Sequence, residues 1–263
     1  MSPIIFSLCG PLAIHAYGVC IAVGAATGIF LLMQDKKLQK IISPEALTTT
    51  LQLIILSGYV GGRLGFLLSE SCAWSDYLMF FKFWQPGFSI LGSICGVLLV
   101  LGSYLWVKKI PALIYLDRIT IYAPIVQSFG RLGCFFAGCC HGMPSDVFWA
   151  VTYTDPAHMA PLFIALHPAQ LYSAVILFLT FLFLYFVMQR VSKTPGVLLC
   201  TYLCLVSIER FLIDFVRWDR LFFHHSMLSC FSIHQWIALG MISVSMIGFF
   251  VLIKQSKKTY GSV

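Results

Sequence analysis

The chain has 263 residues, of which 59% are hydrophobic and 10% charged, against roughly 25% charged in an average soluble domain. Such a deficit cannot clothe a soluble surface, which excludes a secreted, cytosolic or disordered protein and points to a polytopic membrane protein. The net charge of +7 does not point to nucleic acid, because the lysines sit in short clusters between apolar runs and form no basic stripe.

A bilayer-crossing helix needs about 20 mostly apolar residues. Seven runs meet that need: Ala13 to Met33, Thr49 to Ser69, Phe88 to Val107, Ala112 to Phe129, Pro168 to Gln189, Pro195 to Phe215 and Ile233 to Ile253. None alternates as a membrane β-strand would. The prediction is an all-α polytopic membrane protein with seven transmembrane helices, forming a single membrane-embedded domain over residues 1–263. The start, MSPIIFSLCGPLAIHAYG, has no basic stretch before its first apolar run, so no cleaved leader is expected.

Orientation follows from lysine placement. Lys36, Lys37 and Lys40 follow the first run, Lys108 and Lys109 the third, Arg190 and Lys193 the fifth, and Lys254, Lys257 and Lys258 the seventh. With seven crossings all four clusters share one face, which predicts a cytoplasmic C-terminus and an outer N-terminus. Two longer segments then lie outside. Glu70 to Gly87 is rich in aromatics and is expected to be an interfacial arm. Gly130 to His167 contains VTYTDPAHM, which could pair as strands in a small periplasmic segment.

Ionisable groups inside spans usually face protein or a water-filled cavity. The arginines are the informative set, because Arg63, Arg131, Arg210 and Arg217 approach the outer leaflet against the lysine trend. Arg210, Asp214 and Arg217 stand at i, i+4 and i+7, one stripe of a helix, so Asp214 is expected to brace both arginines. An ion-pair network would explain any one of these. Four on one leaflet favour a site for an anionic headgroup, since guanidinium grips phosphate in a planar fork.

The run SFGRLGCFFAGCCHG places Gly130, Gly133, Gly138 and Gly142 around Arg131. Glycines there allow close backbone approach, for packing or for a ligand. Cys134, Cys139, Cys140 and His141 lie in the same run, but their spacing is not the paired C-x₂-C of structural zinc sites. Packing is the expectation for most of these cysteines, with no metal, and a catalytic or redox thiol is the competing one. In LHPAQLYSA, His167 and Pro168 start the fifth span, Gln170 and Tyr172 are either interfacial anchors or groups that bond a headgroup or orient Arg131, and Tyr17 at the outer end of the first span is either an aromatic-belt residue or a catalyst.

Taken in order, these motifs resemble the prolipoprotein diacylglyceryl transferase family. The matching segments are AYG at Tyr17, GGRLGFLL around Arg63, GFSILGSICG from Gly87, APIVQSFGRLGCFFAGCCHG from Ala123, HPAQLY from His167, PGVLL from Pro195 and RFLIDFVRWD from Arg210, with Gln235 in the last span. The resemblance implies transfer of the diacylglyceryl group of phosphatidylglycerol to the thiol of a lipobox cysteine in prolipoprotein signal peptides. Glycerol phosphate leaves, a thioether forms, and no cofactor is called for. It implies a bacterial inner-membrane enzyme whose partners are these lipids and peptides, not nucleic acid. It assigns catalysis to Arg131, Arg210 and Tyr17. Substrate binding falls to Arg131, Arg210, Asp214, Arg217, Arg63, Gly130, Gly133, Gly142, His167 and Gln170. The chain departs from the family's pattern where Leu91 replaces a histidine, and where Cys134, Ala137 and Cys139 replace Asn, Asn and Glu. A membrane thiol-redox protein and a non-catalytic lipid-binding protein are the alternatives.

Overall fold

The computed structural model describes residues 3–7, 13–69, 87–222 and 227–260. The aromatic arm expected before Gly87 lies almost wholly outside these residues. Among them are seven helices: α1 (Ala16–Met33), α2 (Pro44–Ser69), α3 (Ile90–Val107), α4 (Ala112–Ala137), α5 (Ala169–Val191), α6 (Val197–Asp214) and α7 (Ile233–Tyr260). Each of the seven apolar runs is helical over most of its length, although the first turns helical only at Ala16, because residues 13–15 form a strand. Five of the helices, α1, α2, α3, α5 and α7, are long and apolar enough to cross a membrane. The other two are α4, which carries Asp117, Arg118 and Arg131, and α6, which carries Glu209, Arg210 and Asp214.

The chain divides into two compact units, residues 35–115 and residues 1–34 with 116–263. In the first, α2 and α3 meet along a seam of glycines. A Cβ on Gly65 would lie 2.8 Å from the Gly92 Cα, and one on Gly96 would lie 2.5 Å from the Ser57 carbonyl oxygen. Small residues let the two backbones touch, which is how helices associate where lipid removes the hydrophobic drive. Ser93 Oγ donates to the Gly58 carbonyl at 2.9 Å across the seam. Ser89 caps α3 by accepting from the Gly92 N–H at 3.2 Å, filling one of the orphan donors at a helix start.

In the larger unit, Asp117 of α4 governs the start of α6. Its carboxylate accepts from the backbone N–H of Gly196 at 2.6 Å and of Leu199 at 2.7 Å. Gly196 turns with a φ of 89°, a left-handed conformation natural to glycine. Arg118 donates to Gln189 at 3.1 Å. Both charges of this pair thus serve helix junctions. Ahead of α1, β1 (Ile4–Ser7) pairs antiparallel with β2 (Ala13–His15).

Between α4 and α5 the chain folds back on itself. β3 (Val151–Thr152) pairs antiparallel with β4 (Ala165–Leu166), as VTYTDPAHM suggested. Tyr153, Ala160 and Leu166 are buried beneath it with Val151 and Leu162. Burial pushes the Tyr153 hydroxyl up to about 12, so it stays protonated and donates to the Phe135 carbonyl at 3.0 Å. That bond ties the loop to the end of α4.

Candidate functional site

Within the larger unit, α1, α4, α5 and α6 line a cavity of about 240 Å³. Its polar wall is Tyr17, Gln127, Gly130, Arg131, Cys134 and Glu209, and Leu177 and Val206 supply apolar surface. Tyr17 reaches this wall because position 133 is glycine: a Cβ there would lie 3.1 Å from both the Tyr17 ring and its carbonyl oxygen. Gly130 has open space where a Cβ would stand, so its smallness leaves room in the cavity. Gln127 donates to the Tyr202 hydroxyl at 2.8 Å.

Arg131 forms no ion pair among the described residues. It presents its guanidinium to the cavity uncommitted. Glu209 lines the same space, is 2% exposed, and accepts a hydrogen bond from Ser173. The sequence alone does not single out Glu209. Its pairing with a serine 36 positions away has no local signal. Arg210 does not line the cavity, but its charge is felt together with those of Arg217 and Arg131.

Asp214 is 1% exposed and is the hub of this end of α6. Arg210 approaches it at 3.5 Å and Arg220 at 3.6 Å, and Ser232 donates to it. The expected bracing of Arg217 by Asp214 is not what forms. α6 ends at Asp214, so Arg217 is not on the helical stripe. It bridges instead to Gly142, and its Nε and Nη2 clasp Asp219 at 2.7 and 2.6 Å. The second arginine on Asp214 is Arg220, which the sequence reading passed over. Arg217 holds the Asp219 carboxyl below the usual carboxylate range.

Gly142 is where the loop after α4 meets the end of α6. A Cβ there would stand 2.5 Å from the His167 Cβ and 2.8 Å from the Val216 carbonyl oxygen. The neighbouring backbone is stitched by Gly142 N–H to His167 O at 3.0 Å and Met143 N–H to Val216 O at 2.8 Å. His167 Nδ1 lies 3.2 Å from the Tyr172 hydroxyl, which accepts from Trp149. Gln170 is 1% exposed and donates to the Cys139 carbonyl at 2.8 Å, so it shapes the cysteine loop. Arg63 belongs to the other unit, where it is buried and donates to the Gly87 carbonyl at 2.6 Å.

Cys134, Cys139 and Cys140 bring their sulfur atoms within 4.8 Å of one another, and all three are free. Gly138 (φ 75°) and Cys140 (φ 56°) reverse the chain to do so. The Cys140 thiol is held well below its ordinary range by hydrogen bonds from Cys134 and Cys139, with Arg217 adding to the effect. Those same contacts, with burial, push the Cys139 thiol up.

The family model described as prolipoprotein diacylglyceryl transferase matches residues 3–251. The chain belongs to that family. A phosphatidylglycerol–prolipoprotein diacylglyceryl transferase of Clostridium tetani is 32% identical over 252 residues, 95% of this chain and 96% of the relative. The relative of the same name from Chloroherpeton thalassium is 30% identical over 98% of this chain and 94% of its own length. One from Clostridium botulinum is 29% identical over 98% of this chain and the full relative. Set against the pattern many members of the diacylglyceryl transferase family show, the departures at positions 134 and 139 fall within the three-sulfur cluster.

Proposed function

We propose that this protein transfers the diacylglyceryl group of phosphatidylglycerol to the cysteine thiol of a prolipoprotein signal peptide, releasing glycerol phosphate and forming a thioether. The observation that carries this reading is Arg131, a guanidinium without a carboxylate partner among the described residues, facing a cavity between hydrophobic helices. A phosphodiester lipid brings a charge to that place, and the departing phosphate gathers more of it as the carbon–oxygen bond breaks. Preorganised donors aimed at developing charge supply the largest catalytic effect in many enzymes. Arg210, supported by Asp214, adds positive field beside Arg131. Tyr17 borders the reacting centre, and Gly130 leaves the space the lipid glycerol needs. Arg217, Gly142, His167 and Gln170 hold the wall in shape. Arg63 serves the smaller unit.

In this reading the chain crosses the bacterial inner membrane seven times, with α4 and α6 as polar-bearing spans, the N-terminus outside and the C-terminus in the cytoplasm. The lysine clusters support the orientation. A reporter fused after Lys258 is expected to signal a cytoplasmic location, and a periplasmic signal would reverse the assignment.

The test of function uses the purified full chain, phosphatidylglycerol vesicles and a lipobox peptide. Mass spectrometry is expected to show the diacylglyceryl thioether. Arg131→Ala is expected to lower the rate about 10²- to 10³-fold, as removal of one transition-state donor does. Full activity in Arg131→Ala, or no thioether from the wild type, would overturn the proposal.

A further inference from the structure

The three-sulfur cluster has a geometry that packing does not require. Three sulfurs within 4.8 Å of one another leave a point no more than about 2.8 Å from each, and zinc–sulfur bonds are about 2.3 Å. Small side-chain rotations close that gap. The backbone that carries the sulfurs is pinned on several sides. Gln170 holds the Cys139 carbonyl, Trp218 N–H bonds to the His141 carbonyl at 3.3 Å, and Gly142 is stitched to His167. Cys140 adopts a left-handed φ of 56°, which a side-chain-bearing residue keeps only where its surroundings impose it. Sulfur ligands select soft, filled-shell ions. Three ligands leave a tetrahedral ion one open position, the mark of a reactive site as against a closed structural one. Cys134 also lines the cavity with Arg131 and Glu209, so one ligand of an ion held here borders the place assigned to the substrates.

We infer that Cys134, Cys139 and Cys140 bind one thiophilic ion such as zinc, whose open position takes the acceptor thiol. The inference rests on the transferase reading for the identity of that fourth ligand, but not for the metal site itself. It gives the reaction a way to make thiolate where Leu91 and Cys139 stand in place of the histidine and carboxylate of many relatives. A metal-bound thiol is deprotonated. The acceptor S–H bond breaks, a sulfur–zinc bond forms, and the proton passes to Glu209. The sulfur then attacks the glyceryl carbon as its bond to the phosphate oxygen breaks, and the phosphate leaves with that electron pair. The thioether, a weaker ligand than thiolate, dissociates. Glu209 releases its proton to solvent as the glycerol phosphate leaves as a dianion, and the ion is unchanged.

The experiment uses the full chain in detergent, loaded with zinc or with cadmium as a spectroscopic probe and then desalted. One ion per chain and an ultraviolet sulfur-to-cadmium band are expected. Cys134→Ser, Cys139→Ser and Cys140→Ser should each lower ion binding at least tenfold, whereas Cys200→Ser and Cys204→Ser should not. In the wild type, bound zinc should shield three thiols from a maleimide, a readout that needs no variant. A lipobox peptide should intensify the cadmium band, and its Cys→Ser form should not. Substoichiometric metal, or binding indifferent to the three serine variants, would overturn the site. A bound ion blind to the peptide would overturn the open position. Intact metal binding in a protein that makes no thioether would instead sink the transferase reading and leave the site standing.

Discussion

Asp117 offers a measurement of how a buried charge holds the site's framework. Its two oxygens take the N–H groups of Gly196 and Leu199 at 2.6 and 2.7 Å, at the start of the helix that carries Glu209, Arg210 and Asp214. Asp117→Ala removes both acceptors and leaves two backbone donors without partners. Hydrogen bonds to a charged group contribute about 1.5–3 kcal/mol each, so the expected loss is about 3–6 kcal/mol. Asp117→Asn keeps one oxygen and turns its amide toward the other donor, for roughly half that cost. Unfolding of the purified protein in detergent, followed by tryptophan fluorescence, measures both. The expected order is wild type, then Asn, then Ala. An alanine variant as stable as the wild type would refute the claim that this carboxylate caps α6.

Gly142→Ala should destabilise the protein by about 1–3 kcal/mol through overpacking against His167 and Val216, seen as a lowered unfolding midpoint. The Arg217–Asp219 clasp sets an acid limit. Because the Asp219 carboxyl is depressed, its contribution is present above the ordinary carboxylate pKa of about 3.9 and is lost as pH falls through the lower folded value. Asp219→Asn should therefore flatten the acid limb of a stability–pH curve, modestly, because the side chain is 55% exposed. Glu209→Gln should lower kcat about 100-fold, the scale of a lost general base, with KM little changed in steady-state transfer assays.

The helices were legible because a long apolar run has few ways to satisfy its backbone in lipid. The seven runs became seven helices, and Arg131 was legible as a charge out of place. What local periodicity could not reveal was the end of α6. A stripe through Arg217 assumes that the helix continues, but backbone pairing with Gly142 and Met143, over 70 residues earlier, takes the chain away at Asp214. The partners Asp219 and Arg220 follow from that turn. The cysteines were opaque for a related reason. Positions 134, 139 and 140 share no regular spacing, and only the left-handed turns at Gly138 and Cys140 bring their sulfurs together.

Asp214 gives its single carboxylate to both Arg210 and Arg220, while Arg217 takes Asp219 for itself. With Arg131 and Glu209 added, four guanidiniums meet three carboxylates. Arg131 is the guanidinium left without a carboxylate among the described residues, and a lipid that brings a negative charge supplies one. A zwitterionic phospholipid carries its own cation into the site and gains less. Discrimination between headgroups can thus begin with net charge, before any contact to the glycerol is made. The same imbalance acts on the departing glycerol phosphate, whose extra charge makes it a better counterion than the lipid it came from. Its escape then becomes a candidate for the slow step, and added salt should speed release while weakening lipid capture.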